Sequence, residues 1–115
     1  MVYGLNLGDG TEGAFAAVSP LGYASVFTIS RDADESLHDE YVFELQPWPH
    51  VESGGAVNEI WLDVVDSKLV SVRINRELLW TGEIQYAGEN IYFWAEAFGD
   101  PGVVKIIDYE LFGSG

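Results

Sequence analysis

The stretch that decides the fold is AVNEIWLDVVDSKLVSVRINRELLWTG, Ala56 to Gly82. Its apolar residues recur at every second position. Ile60, Leu62 and Val64 alternate with Glu59, Trp61 and Asp63, and Val70, Val72 and Ile74 alternate with Ser71, Arg73 and Asn75. That period belongs to strands with one buried face, not to a helix. Asp66-Ser67-Lys68 turns the first strand into the second, and Asn75-Arg76-Glu77 leads into a short strand, Leu78 to Thr81.

The same reading extends outward in both directions. Ala14 to Ser19 and Tyr23 to Arg31 read as strands, with Val26 and Thr28 facing one way and Phe27 and Ile29 the other. DADESLHDE, Asp32 to Glu40, reads as an acidic loop. Tyr41 to Gln46 alternates with Tyr41, Phe43 and Leu45 inward, and Pro47-Trp48-Pro49 ends it because proline cannot donate to a ladder. In the last third, Ile91, Phe93, Ala95 and Ala97 share one face, and Tyr92, Trp94, Glu96 and Phe98 share the other. Gly99-Asp100-Pro101-Gly102 then turns the chain into a final strand ending at Phe112. Strands of this number without a helix predict an all-β domain of two antiparallel sheets packed face to face.

The chain has 115 residues, which suits one domain and one core. Residues 1–13, with Gly8-Asp9-Gly10-Thr11-Glu12-Gly13, read as a flexible start, and Gly113-Ser114-Gly115 fits a cloning scar. No apolar run approaches the roughly 18 residues of a membrane span, and no signal peptide is visible at the start. With 19 Asp and Glu against 5 Lys and Arg, a net charge of −14 repels phosphate backbones and anionic lipid. Nucleic acid and membranes are therefore excluded as partners. A basic partner, a cation, a high-salt organism, or an extracellular, cell-surface or virion setting fits this balance, as does a plain acidic surface. No cysteine is present, which removes disulfides and thiolate metal sites.

Across Ala56 to Gly82 the chain resembles concanavalin A-like lectin and glucanase domains, laminin-G-like modules among them. Asn58, Ile60, Leu62 and Val64 stand in the first strand of that family's recurring hairpin, and Val70, Val72 and Ile74 in the second. Asn75-Arg76-Glu77-Leu78-Leu79 takes the place of the family's Asn-Gly-Glu-Leu-Leu. Arg76 departs from the turn glycine, and the chain is shorter than most such domains. The resemblance covers about residues 22–113 and implies a jelly-roll sandwich. It implies little about the ligand, because one fold serves many functions.

Placing Trp61, Asp63 and Arg73 on an outer face with Tyr92, Trp94 and Glu96, if both strands share a sheet, assembles a surface suited to a glycan. Indole rings stack on pyranose C–H faces, and Asp and Arg bond hydroxyls. These six are the candidate ligand contacts of a non-catalytic binding module. An alternative is a structural virion or surface module that forms a homo-oligomer through that face. A glycosidase is the second alternative, though no Glu-x-Asp-x-x-Glu signature is present, and Glu59 and Asp63 on one strand lie roughly 13 Å apart, beyond the reach of paired carboxylates. No catalytic residue and no organic cofactor is assigned. Asp32, Asp34 and Glu35 are candidate Ca²⁺ ligands without the spacing of a calcium loop. Trp48 reads as a rigid loop platform or as a plug over the end of the sandwich, and Trp80 as core.

Overall fold

The computed structural model describes residues 2–54, 57–87 and 90–96, with only the backbone of Asn90 and of residues 94–96. The expected turn Gly99-Asp100-Pro101-Gly102, the final strand to Phe112, the tail Gly113-Ser114-Gly115, and Ala97 and Phe98 lie outside the described residues. Eight strands are described: β1 Val2–Gly8, β2 Gly13–Val18, β3 Tyr23–Arg31, β4 Leu37–Pro47, β5 Ile60–Val65, β6 Lys68–Ile74, β7 Glu77–Gln85 and β8 Asn90–Glu96. They form two antiparallel sheets. The large sheet has the order β4-β3-β2-β1-β8 and the small sheet β5-β6-β7. Each runs as hairpin-joined neighbours, and β8 returns to pair with β1.

The chain start therefore holds a strand where the sequence alone reads as a flexible loop. Val2–Gly8 is β1, flanked on both sides by β2 and β8. Its glycines hide the strand from a reading by period alone. Gly4 is required by close approach, since a Cβ there would lie 1.8 Å from the Ala16 carbonyl oxygen. The segment Gly8 to Gly13 is a tight hairpin end folded around Asn6. That side chain is fully buried, donates to the carbonyls of Ala14 (3.1 Å) and Glu12 (3.4 Å), and accepts from the Gly10 N–H (2.8 Å).

One core lies between the sheets. The large sheet supplies Leu7, Ala14, Ala16, Val18, Ala24 and Val26, and the small sheet Leu69, Val72, Ile74, Leu79 and Ile84. Alanines on one side let the bulkier side chains of the other settle close, which interior packing density requires. The large sheet is buried on its other face too. Val2, Phe15, Ala17 and Phe27 form a second cluster there, with the Phe15 and Phe27 rings stacked at 4.9 Å.

Bulges explain where the expected facing fails. Phe27 pairs with Tyr41 and Val26 with Phe43, which leaves Val42 as an extra residue in β4. Phe43 consequently packs on the core, whereas Tyr41 and Leu45 are exposed rather than inward, and the Tyr41 ring meets Phe27 at 5.2 Å on the opposite face. In β6, Asp63 pairs with Ser71 and Val64 with Leu69, so Val70 is the bulged residue and Leu69 takes the core position expected for Val70. The acidic segment is shorter as a loop than expected, because Leu37 to Glu40 already belongs to β4. β7 also runs beyond Thr81 to Gln85.

The crossing from β4 to β5 is fastened by side chains. Asn75 occupies the left-handed region (φ 52°), and its amide bonds in three directions. It donates to the His50 carbonyl (2.7 Å) and to Asn58 Oδ1 (2.9 Å), and its Oδ1 accepts from the Glu59 N–H (2.8 Å). Asn58 in turn donates to the Tyr3 hydroxyl (2.9 Å) and to the Glu52 carbonyl (3.0 Å), and accepts from the Glu52 N–H (2.8 Å). Asn75→Ala removes these bonds and the residue type most tolerant of a left-handed backbone. It is expected to destabilise the protein by about 2 kcal/mol, read as a lowered urea midpoint with an unchanged slope.

Candidate functional site

The outer face of the small sheet carries two cross-strand rows. Trp61 on β5 pairs with Arg73 on β6, which pairs with Leu78 on β7. One step along, Asp63 pairs with Ser71 and Ser71 with Thr81. Trp61 and Leu78 are each 44% exposed, large for apolar side chains standing in a sheet. The first row is an aromatic and aliphatic platform with a guanidinium in its middle. The second is a run of hydroxyls beside a carboxylate, and Ser71 Oγ donates to Asp63 Oδ2 at 2.5 Å. Rows two residues apart stand roughly 7 Å from one another and neighbouring strands roughly 5 Å, a footprint that matches one or two sugar rings.

The turn after β6 borders this face. Asn75 and Arg76 are the two central residues of a hairpin turn, at φ 52° and 71°, between the paired Ile74 and Glu77. This is the primed turn that a two-residue hairpin needs, with arginine in a position that favours glycine. From this turn Arg76 lies over the Trp61 ring, 5.7 Å from its centroid, with its Nε 3.2 Å from Glu59 Oε1. A cation over an indole and an exposed ion pair each contribute modestly. Together they hold the Trp61 ring in one orientation.

The structure divides the six sequence-derived candidates. Trp61, Asp63 and Arg73 share the small-sheet face. Tyr92, Trp94 and Glu96 lie on β8, an outer strand of the large sheet among the described residues, so the single combined face does not form. Tyr92 is exposed with its ring close to Gly10, while Trp94 and Glu96 stand opposite Gly4 and Val2 in the backbone register. Ile91 and Phe93 share the register face of Leu7 and Leu5, as expected, yet both are exposed. Sequence reasoning missed Leu78 and Thr81 as members of the small-sheet face. Their position depends on the bulge at Leu79, and the only signal in the sequence is the unbroken apolar run Leu78-Leu79-Trp80. Arg73 and Asp63 are not cross-strand partners, because Asp63 faces Ser71.

Trp48 folds back onto the core as a plug, edge-on to Phe43 at 5.9 Å, and its buried indole N–H finds no acceptor among the described residues. Trp80 packs on the core and lies across Gly82, where a Cβ would come within 2.5 Å of its ring.

The carboxylates considered for calcium organise the β3–β4 turn. Asp32 Oδ1 accepts from the N–H groups of Asp34 (3.1 Å) and Ser36 (3.2 Å), and Asp34 Oδ1 accepts from the Ser36 N–H (2.9 Å). His38 meets the other Asp32 oxygen. Among the described residues no group of His, Cys, Asp or Glu is arranged to hold a metal ion. A side-chain hydrogen bond shared with Asp32, followed by the bonds that Ser36 donates, holds Asp34 down to about 2. At the β1–β2 end, the Glu12 and Thr11 N–H groups lower Asp9 in the same way. A cavity of about 330 Å³ opens beside that hairpin, between Asp9, Glu12, Ile29 and Tyr86, and burial raises the Tyr86 phenol.

No protein family, no curated protein and no solved structure matches this chain. Among the described residues no helix is long and apolar enough to cross a membrane.

The two turns give a pH expectation. A carboxyl whose folded pKa is depressed stabilises the fold above its unfolded value, and that contribution disappears as pH falls through the folded value. The Asp34 contribution is therefore complete above about pH 4 and lost towards pH 2. A carboxyl-detected NMR titration should give Asp34 a midpoint near 2, and Ser36→Ala should raise it.

Proposed function

We propose that this domain is a non-catalytic binding module that recognises a carbohydrate on the outer face of its small sheet. The observation that carries the reading is Trp61, 44% exposed on a sheet face and held by Arg76 beside the hydroxyl and carboxylate row of Asp63, Ser71 and Thr81. The indole supplies an apolar platform for the C–H face of a pyranose. Arg73 donates to ring hydroxyls and Asp63 accepts from them. The acid excess favours a neutral or basic glycan over a sulfated or sialylated one.

The concanavalin A-like jelly-roll assignment belongs to the same proposal. Two antiparallel sheets around one core support it, as does the β5–β6–β7 hairpin unit with Asn75 at its turn. An extracellular or surface setting follows from a glycan-reading role.

The test is a glycan array followed by calorimetry on the leading sugar. Trp61→Ala should weaken binding by at least about tenfold, with a melting temperature within a few degrees of the parent. Trp94→Ala, on the other sheet, should leave affinity unchanged. Equal binding by the Trp61 variant would refute the assignment. A concentration-independent oligomer that shields Trp61 from acrylamide quenching would instead favour the assembly role.

A further inference from the structure

Among the described strands the large sheet ends in β4, Leu37–Pro47, whose one neighbour is β3. This strand is exposed along nearly its whole length, with only Phe43 half-buried. Leu37 is 50%, Val42 42% and Leu45 45% exposed. Natural edges are blunted against indiscriminate pairing by charged side chains, lysine above all, by proline, by bulges, or by being short. β4 has eleven residues, no lysine, and its only proline at the far end. Its charges are the exposed Asp39, Glu40 and Glu44, continued by Asp34 and Glu35 in the preceding turn. Nearby cations are already engaged, since Arg31 faces Glu12 and His38 meets Asp32.

We infer that β4 is a docking edge for an extended basic segment of a partner protein, taken up as an added antiparallel strand. The backbone of β4 would supply the ladder, Leu37, Val42 and Leu45 would contact β-branched side chains, and Asp39, Glu40 and Glu44, spread over both faces of the strand, would meet Lys or Arg. Charge decides the occupant. A second copy of this chain paired antiparallel about Val42 would set Glu40 against Glu44, with a net charge of −14 on each molecule. Like charges directly opposite destabilise a strand pair, whereas a basic strand turns the same positions into cross-strand ion pairs. The bulge at Val42 bends the edge, which disfavours long flat self-stacking and still leaves the strand open to a short peptide.

This surface lies on the other sheet from the proposed glycan face, and the experiment separates the two. The probe is a fluorescent peptide alternating Lys and Val, added to the full chain and followed by anisotropy and by backbone amide NMR. Shifts should concentrate on residues 37–47, and affinity should fall about tenfold between roughly 50 and 300 mM salt. The double variant Glu40→Lys/Glu44→Lys should lose the basic peptide and gain a Glu-Val one. Glu44→Gln, which leaves the fold undisturbed, should weaken the basic peptide several-fold. Equal binding of a Glu-Val peptide by the parent, shifts on the small-sheet face instead, or a dimer through β4 in sedimentation would overturn the inference.

Discussion

The position of one sheet over the other depends on Asn75. Its backbone must be left-handed to close the hairpin between Ile74 and Glu77, and its amide must reach the His50 carbonyl, the Glu59 N–H and Asn58 at once. Because Asn58 also binds Tyr3, this chain of amides links the small sheet, the crossing loop and the first strand of the large sheet. A buried or half-buried amide with every direction used fixes geometry in a way that apolar contact alone does not. The alanine-rich face of the large sheet can then lie close to Leu69 and Ile74, and the bulges in β4, β6 and β7 adjust strand curvature to that fit.

The outer face of the small sheet follows from the same constraint. The turn that Asn75 closes places Arg76 over Trp61, so an element that secures the sandwich also orients the most exposed indole of the small sheet. Stability and surface chemistry meet here in two adjacent residues, and the strain at Arg76 sits beside the surface proposed to bind.

Much of this was legible in sequence. Period two identified β3 with its bounds and both its faces, and it located β5, β6 and the proline stop after β4, because alternate residues of these strands face different surroundings: two separate clusters for β3, core and outer face for β5 and β6. It failed where the two-residue period is broken by a third dimension. β1 was invisible because Gly4 and Asn6 occupy buried positions for reasons of backbone approach and hairpin closure, not hydrophobicity. Leu45 and Tyr41 resemble inward residues, but a bulge and an edge position leave them exposed. The candidate face was half legible. Trp61, Asp63 and Arg73 lie together because they are near in sequence on one hairpin. Tyr92, Trp94 and Glu96 have an equivalent alternation, and nothing local tells which sheet a strand will join.

The pairing of β1 with β8 also has a consequence for how the chain is made. Every other ladder among the described strands joins strands that follow one another, so each can close as soon as both halves exist. β1 instead waits for Asn90 to Glu96 before its second side is paired. During synthesis the growing chain therefore holds an unsatisfied strand edge in the middle of what will become its larger sheet. The acidic residues spread between Asp9 and Glu89 are already present in that period. Their like charge opposes association of such incomplete chains through that open edge.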